Sequence, residues 1–350
     1  AARFHEPLIV GIGKNSYFLS SDVLGFIEQT DNAIYIENGN FVLIDKNKLE
    51  IFDFNGNVVK QQITKVSKEF ADAYKGDYAH FTLKEISEQP DIIFKSGENT
   101  KNAIKNAGNQ IKNSKNIYIT GSGTSYNAAL IAKQILAKYA KIKTDTIISS
   151  ELQFSSQIIE PESTLIAISQ SGESADVLEA VNIAKKEKCK IISIVNSLTS
   201  SLARESDFII GMNCGPEIGV AATKSFTSQI IVIYKLVEVI CNGSFVIDYK
   251  EISNAISRIL ENHAQVRNIA KEIKEISDIY VLGRGIHYPI AIESALKLKE
   301  LTYIHAEGIA GGELKHGPLA LMDSNVFVII INPNDSTYSD TLTSAREIKA

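Results

Sequence analysis

Part of this chain is written twice, and that repetition limits its fold more than any other feature. Asn116-Ile-Tyr-Ile-Thr-Gly-Ser-Gly-Thr-Ser-Tyr126 pairs with Asp278-Ile-Tyr-Val-Leu-Gly-Arg-Gly-Ile-His-Tyr288 at an offset of 162 residues, with Ile, Tyr, Gly, Gly and Tyr in register. The same offset lays the apolar run 165–168 on 327–330. Each matched segment is a strand pattern, then a loop, then a helical pattern. Two such units at one offset imply two copies of one domain. Strands alternate with helices from Pro90 onward, so the expected class is α/β with parallel sheets. Copy one is expected over 96–245, a connecting helix over 246–277 (its pattern runs 249–276), and a truncated copy two over 278–350.

Residues 1–64 read differently. Short β-branched or aromatic runs occupy 7–12, 33–37, 41–44, 49–54 and 58–63, with Asn38-Gly39 and Asn55-Gly56 expected as hairpin turns. Residues 65–95 turn polar, as a linker does. The first residue is Ala, and the last falls in a helical pattern over 336–350, so the chain reads as a piece of a longer one.

At 350 residues there is room for several cores. A net charge of −5 provides no electrostatic footprint for nucleic acid or an anionic membrane. No apolar run approaches the ~18 residues that span a bilayer, and residues 1–12 lack the layout of a secretory signal. Cys189, Cys214 and Cys241 fit neither a zinc spacing nor a disulfide framework, which suggests the cytoplasm. No set of His, Cys or carboxylates has a metal spacing.

The chemistry concentrates in loops. A buried strand runs into Ser169-Gln-Ser-Gly-Glu-Ser174, and a helix pattern follows at once. The first N–H groups of a helix have no internal partners, and its dipole makes that end positive. Ser169, Gln170, Ser171 and Ser174 add side-chain donors. The loop has no Lys or Arg, so a phosphate there is held by neutral groups. Gly121-Ser-Gly-Thr-Ser125 is a second hydroxyl-rich loop, and Thr124 and Ser125 belong to it. Loops at the C-terminal ends of neighbouring strands form the ligand sites of open α/β sheets. The alternative is that these Ser and Thr only cap helices. Copy two replaces the loops with Gly283-Arg-Gly-Ile-His287 and with Ile331-Asn-Pro-Asn, where the hydroxyls are gone and Pro333 has no N–H. The cradle is therefore expected in copy one alone.

Three more segments attract attention. Pro216-Glu-Ile-Gly-Val-Ala-Ala-Thr-Lys224 is either a backbone approach to a ligand or a plain turn before a helix. Glu293, Lys297 and Glu300 can share a helix face, as surface ion pairs or as an acid–base set. That helix is otherwise apolar, and Lys297 stands where copy one has Ile135. His316 sits in Gly311-Gly-Glu-Leu-Lys-His-Gly-Pro318, as an inert loop histidine or a functional one.

Taken together, the chain resembles the glutamine–fructose-6-phosphate aminotransferases (isomerising). The motifs are Gly121-Ser-Gly-Thr-Ser-Tyr126, Ser169-Gln-Ser-Gly-Glu173, Glu217-Ile-Gly-Val-Ala, Gly283-Arg-Gly, Ala295-Leu-Lys-Leu-Lys-Glu300, Tyr303-Ile-His-Ala-Glu307 and Gly312-Glu-Leu-Lys-His-Gly-Pro-Leu-Ala320, with Lys84-Glu-Ile-x-Glu-Gln-Pro90 as the linker. The resemblance implies two SIS domains, the second truncated, preceded by the β-rich end of an N-terminal-nucleophile glutaminase domain. It implies conversion of fructose 6-phosphate and glutamine to glucosamine 6-phosphate and glutamate in a homodimer, without metal or redox cofactor. Thr124, Ser125, Ser169, Gln170, Ser171 and Ser174 would hold the phosphate, with Glu217, Val220 and Ala222 also at the substrate. Glu300 would move a proton between C1 and C2, Lys297 would assist at the C1 oxygen, and His316 of a neighbouring subunit would open the ring. The glutaminase nucleophile is absent, so glutaminase activity is not expected. Two other readings remain: an SIS-type phosphosugar isomerase or deglycase, and a non-enzymatic sugar-phosphate sensor.

Overall fold

A computed structural model describes residues 1–4, 7–21, 23–27, 29–45, 48–66, 77–323 and 325–349. The N-terminal part is antiparallel. Strands β1 (Ile9–Ile12), β2 (Tyr17–Ser20), β3 (Asn32–Tyr35) and β6 (Thr64–Lys65) form one sheet in the order β2-β1-β3-β6, and β4 (Asn40–Asp45) pairs with β5 (Lys48–Asp53) in another. Val10, Ile34, Ile36, Val42 and Ile51 join the two sheets in one core.

Three sequence expectations change here. Asn38-Gly39 is a corner between sheets and not a hairpin, because β3 and β4 do not pair. β2 was not anticipated. Run 58–63 is not a strand: Val58 makes one bridge, to Phe52, after the turn at Asn55-Gly56, where Gly56 has φ +85°. Val58 and Ile63 are exposed, so no core rewards extending the pairing.

Helices α1 (Phe81–Ser87) and α2 (Gln89–Lys95) follow, and then α3 (Lys101–Asn113) enters the first α/β unit. There β7 (Ile117–Gly121), α4 (Thr124–Ile135), β8 (Asp145–Ile148), α5 (Ser149–Leu152), β9 (Thr164–Ser169), α6 (Ala175–Lys186), β10 (Lys190–Val195), α7 (Ser201–Arg204), β11 (Phe208–Gly211) and α8 (Lys224–Ile240) alternate. The five strands are parallel in the order β11-β10-β9-β7-β8. Residues of β7 and β9 are fully buried, as a sheet covered on both faces requires. α3, α4 and α8 cover one face through Ile104, Ile131, Ile135, Val232 and Leu236. α6 and α5 cover the other through Val177, Val181 and Leu152.

The connecting helix is two helices, α9 (Tyr249–Glu261) and α10 (His263–Ile273), broken at Asn262. The second unit then places β12 (Asp278–Gly283), α11 (His287–Thr302), β13 (His305–Ala310), β14 (Val326–Ile330) and α12 (Tyr338–Lys349) in a parallel sheet of order β13-β12-β14. The repeat is thus real: β7 lies between β8 and β9 as β12 lies between β13 and β14.

Its offset, however, is not constant. Tyr118 faces Asp145 and Tyr280 faces Glu307, which keeps the offset of 162. Ile119 faces Ile166 while Val281 faces Ile329, so the third strand and the helix after it are offset by 163. A one-residue slip turns every side chain over, and so it reassigns the second copy's loop. Asn332, not Ile331, matches Ser169, and Thr337 matches Ser174. The expectation that the hydroxyls vanish is corrected accordingly: a hydroxyl persists at Thr337. Among the described residues no helix is long and apolar enough to cross a membrane.

Candidate functional site

Two loops at the C-terminal ends of β7 and β9 meet at the N-termini of α4 and α6. Gly121 lets the chain turn straight from strand into helix: a Cβ there would meet the carbonyl carbon of Ser125 at 2.8 Å. Gly172, at φ +70°, folds the second loop against Ser200, whose Oγ would lie 2.2 Å from an added Cβ. That loop carries its own scaffold. Gly172 N–H donates to Ser169 Oγ at 3.0 Å, Glu173 N–H to Ser171 Oγ at 3.2 Å, and Ser169 Oγ lies 3.5 Å from Ser174 Oγ. Gln170 C=O accepts from Asn196 N–H, and Gly172 C=O from Leu202 N–H. Ser171 remains exposed, with Gln170 and Ser174 half-buried. Ser125 is buried, and Gln229 of α8 donates to its Oγ at 3.0 Å.

α11 of the second unit packs on α4 of the first, and this brings charged side chains to the cradle. Thr124 Oγ1 donates to Glu293 Oε1 at 3.0 Å and accepts from Lys297 Nζ at 3.0 Å. Asn127 Nδ2 donates to Glu293 Oε2 at 2.7 Å. Lys297 Nζ lies 3.4 Å from Glu293 Oε1 and 2.6 Å from Glu300 Oε2. The Lys297–Glu300 contact is an ion pair off the line of a hydrogen bond, and so Glu300 Oε2 keeps an unused acceptor position. Burial pushes the Glu293 carboxyl above the usual carboxylate range, against the pull of Asn127, Lys297 and Thr124. The triad is therefore no solvated surface ladder. It is a partly buried cluster of one cation and two carboxylates, joined to the hydroxyl-rich loop through Thr124.

Glu217, Val220 and Ala222 lie together on the loop before α8, in three different settings. The Glu217 carboxylate is turned inward: Oε1 accepts from Thr223 N–H at 2.7 Å and Ser225 N–H at 3.2 Å, and Oε2 accepts from Ser225 Oγ. It caps the start of α8. Val220 is 89% exposed, and Ala222 is half-buried. His316 ends the turn Leu314–His316 with its side chain exposed. Among the described residues no contact joins it to Lys297 or Glu300.

Sequence reasoning missed Asn127, Gln229 and Glu85. Asn127 and Gln229 are amides inside apolar helices, at 4% and 1% exposure. A polar residue on a buried face was the available signal.

The SIS domain family matches residues 110–239 and 272–350. The glutamine–fructose-6-phosphate aminotransferase (isomerising) of Methanothermobacter thermautotrophicus is 39% identical over 349 residues, which span all of this chain and 59% of that relative. The enzyme of that name in Thermotoga maritima is 37% identical, over all of this chain and 60% of its own length. The chain thus spans about three-fifths of the length of these relatives. Among solved structures, the C-terminal domain of glucosamine-fructose-6-phosphate aminotransferase from Francisella tularensis superposes with a TM-score of 0.70 at 37% identity, covering 79% of this chain and 82% of that one. Tagatose-6-phosphate ketose/aldose isomerase from Escherichia coli superposes with a TM-score of 0.66 at 22% identity, over 79% of this chain and 80% of that one, a likeness of fold alone. The repeated parallel units, the hydroxyl cradle in the first and these matches agree: the chain belongs to the SIS domain family, with the C-terminal part of the glutamine–fructose-6-phosphate aminotransferases.

Proposed function

We propose that this chain carries the sugar-phosphate half of a glutamine–fructose-6-phosphate aminotransferase. The substrates are fructose 6-phosphate and nitrogen from glutamine, and the product is glucosamine 6-phosphate. The observation that carries the reading is the meeting of Thr124 with Glu293 and Lys297, which joins a phosphate cradle of one unit to an acid–base set of the other.

Ser169, Gln170, Ser171, Ser174, Thr124 and Ser125 bind the phosphate with neutral donors at two helix N-termini. That remote binding energy orients C1 and C2 of the sugar. Ammonia adds at the C2 carbonyl with loss of water, and the resulting imine acidifies the neighbouring C1 proton. Glu300 takes that proton and returns it at C2. Lys297, held between Glu293 and Glu300, serves the C1 oxygen as its charge changes. The exposed His316 acts at the ring oxygen of sugar in the neighbouring subunit, so the working unit is a homodimer in the cytoplasm. Val220 and Ala222 wall the sugar, and Glu217 acts indirectly by holding their loop. Residues 1–64 are the end of a glutaminase domain, 65–95 a linker, 96–245 and 278–350 the two SIS units, and 246–277 their connection.

Titration calorimetry of this chain with fructose 6-phosphate, against fructose and fructose 1-phosphate, tests the reading. Saturable binding of the 6-phosphate alone is expected. No binding at millimolar sugar phosphate overturns it.

A further inference from the structure

The loop before α8 is held by its own unit only in part. α1, seven residues long and upstream of the whole first sheet, reaches across to it. The Glu85 carboxylate on α1 is 2% exposed. Its Oε1 accepts from Ile218 N–H at 2.5 Å and Gly219 N–H at 3.0 Å, and Oε2 lies 3.2 Å from the same Gly219 nitrogen. The approach leaves no room for a side chain on the loop: a Cβ at Gly219 would lie 2.4 Å from Glu85 Oε2 and 2.6 Å from Thr82 Oγ1. One turn further on, Glu88 accepts from Lys84 and binds the buried Lys224 Nζ at 2.6 Å. The far end of the loop is closed by Glu217 on Thr223 and Ser225. Three carboxylates therefore hold the loop, Glu85 at Ile218 and Gly219, and Glu88 and Glu217 at the start of α8, and Val220 between them is exposed.

We propose that Glu85 is a positioning residue for the sugar site, fixing the backbone at Ile218 and Gly219 so that Val220 and Ala222 present a preformed wall to the substrate. This rests on the fructose 6-phosphate reading above. The physical argument is one of entropy. A loop whose φ and ψ are already fixed does not lose that freedom on binding. A charged acceptor on two backbone donors is among the stronger ways of fixing it. α1 is thereby a strut: a displacement of α1 moves the loop through Glu85, with no change in the sheet beneath.

The test compares wild type, Glu85→Ala, Glu85→Gln and Gly219→Ala in this chain, by calorimetry with fructose 6-phosphate, amide hydrogen exchange and thermal unfolding. Glu85→Ala is expected to weaken binding about tenfold, the order set by losing charge-assisted hydrogen bonds. Exchange should quicken at residues 216–224 and stay unchanged in β9. Glu85→Gln, which keeps one acceptor oxygen, is expected to fall between. Should Glu85→Ala fail to fold, Gly219→Ala breaks the same grip from the loop side, with the same expected pattern. Affinity within twofold of wild type together with unchanged loop exchange overturns the proposal. So does faster exchange spread evenly over loop and β9, which marks a general loss of stability. If wild type binds no fructose 6-phosphate, the substrate reading fails by itself. The exchange pattern at 216–224 then decides whether Glu85 holds the loop.

Discussion

Copy one ends its third strand at Ser169 and opens into a loop lined with the hydroxyls of Ser169, Ser171 and Ser174. In copy two the position matching Ser169 is Asn332, just past the end of β14, and the loop is closed with a carboxylate. Asp335 takes the place of Gly172, accepts from Thr337 N–H at 2.8 Å and Thr337 Oγ1 at 2.7 Å, and meets His287 Nε2 at 2.7 Å. His287 stands where copy one has Ser125. Thr337, the hydroxyl that persists in copy two, thus already donates twice to Asp335, which places a carboxylate at that loop. The helices diverge in the complementary sense. Copy one has Ile131 and Ile135, both buried, where copy two has Glu293 and Lys297. One unit pairs a hydroxyl-lined loop with an apolar helix, while the other closes that loop with Asp335 and carries Glu293 and Lys297 on its helix. The strands beneath stay apolar in both copies: Ile117, Ile119, Ile166 and Ile168 in one, and Ile279, Val281, Phe327 and Ile329 in the other.

A third contrast concerns what covers the units. α3 buries Ile104, at 4% exposure, under α8, whereas its repeat mate α10 leaves Val266 at 61% and Ile269 at 43%.

The largest effect is expected at the acid–base set. Glu300→Gln should slow solvent-deuterium exchange at C1 of bound fructose 6-phosphate by about 100-fold or more, with affinity by calorimetry unchanged. Normal exchange removes Glu300 from its role. Next comes the core contrast: Ile104→Ser should cost about 3 kcal/mol in denaturant unfolding, and Ile269→Ser less than about 0.5 kcal/mol. Equal losses would mean that α10 is covered as α3 is. At the cradle, Ser169→Ala should weaken fructose 6-phosphate binding about tenfold, and Asn332→Ala should leave it unchanged. An effect at Asn332 would break the assignment of the site to copy one.

The smallest effects are in pH dependence, and they have opposite signs. Glu293, raised by burial above its ordinary 4.5, contributes stability that is present below that value and is lost as pH rises through the raised one. Asp335, lowered below its ordinary 3.8 chiefly by the hydrogen bond from His287, contributes stability that is present above 3.8 and is lost as pH falls. Glu293→Gln should therefore flatten the decline of the unfolding midpoint just above pH 4.5. Asp335→Asn should lower the midpoint near neutrality and converge on wild type in acid. Parallel shifts in both variants would show that neither carboxyl is tuned as described.

The sequence by itself determined the repeat, the parallel α/β class, the cradle and the candidate proton-transfer residues. These are local facts. Glycines must stand where a strand turns into a helix without room for a Cβ, as at Gly121 and Gly283. Hydroxyls must stand where helix N–H groups are unpaired, and period-two and helical patterns follow from burial on a sheet. Tertiary structure alone decided the rest. The one-residue slip at β14 depends on which pairing buries Ile329 against Val281. The link from Thr124 to Glu293 spans 169 residues, and that from Glu85 to Ile218 spans 133. The hydrogen bonds that Glu217 accepts at the start of α8 appear only once the loop is folded. No local pattern encodes such partners, because they are chosen by how separate elements pack, and packing is settled by the whole core at once.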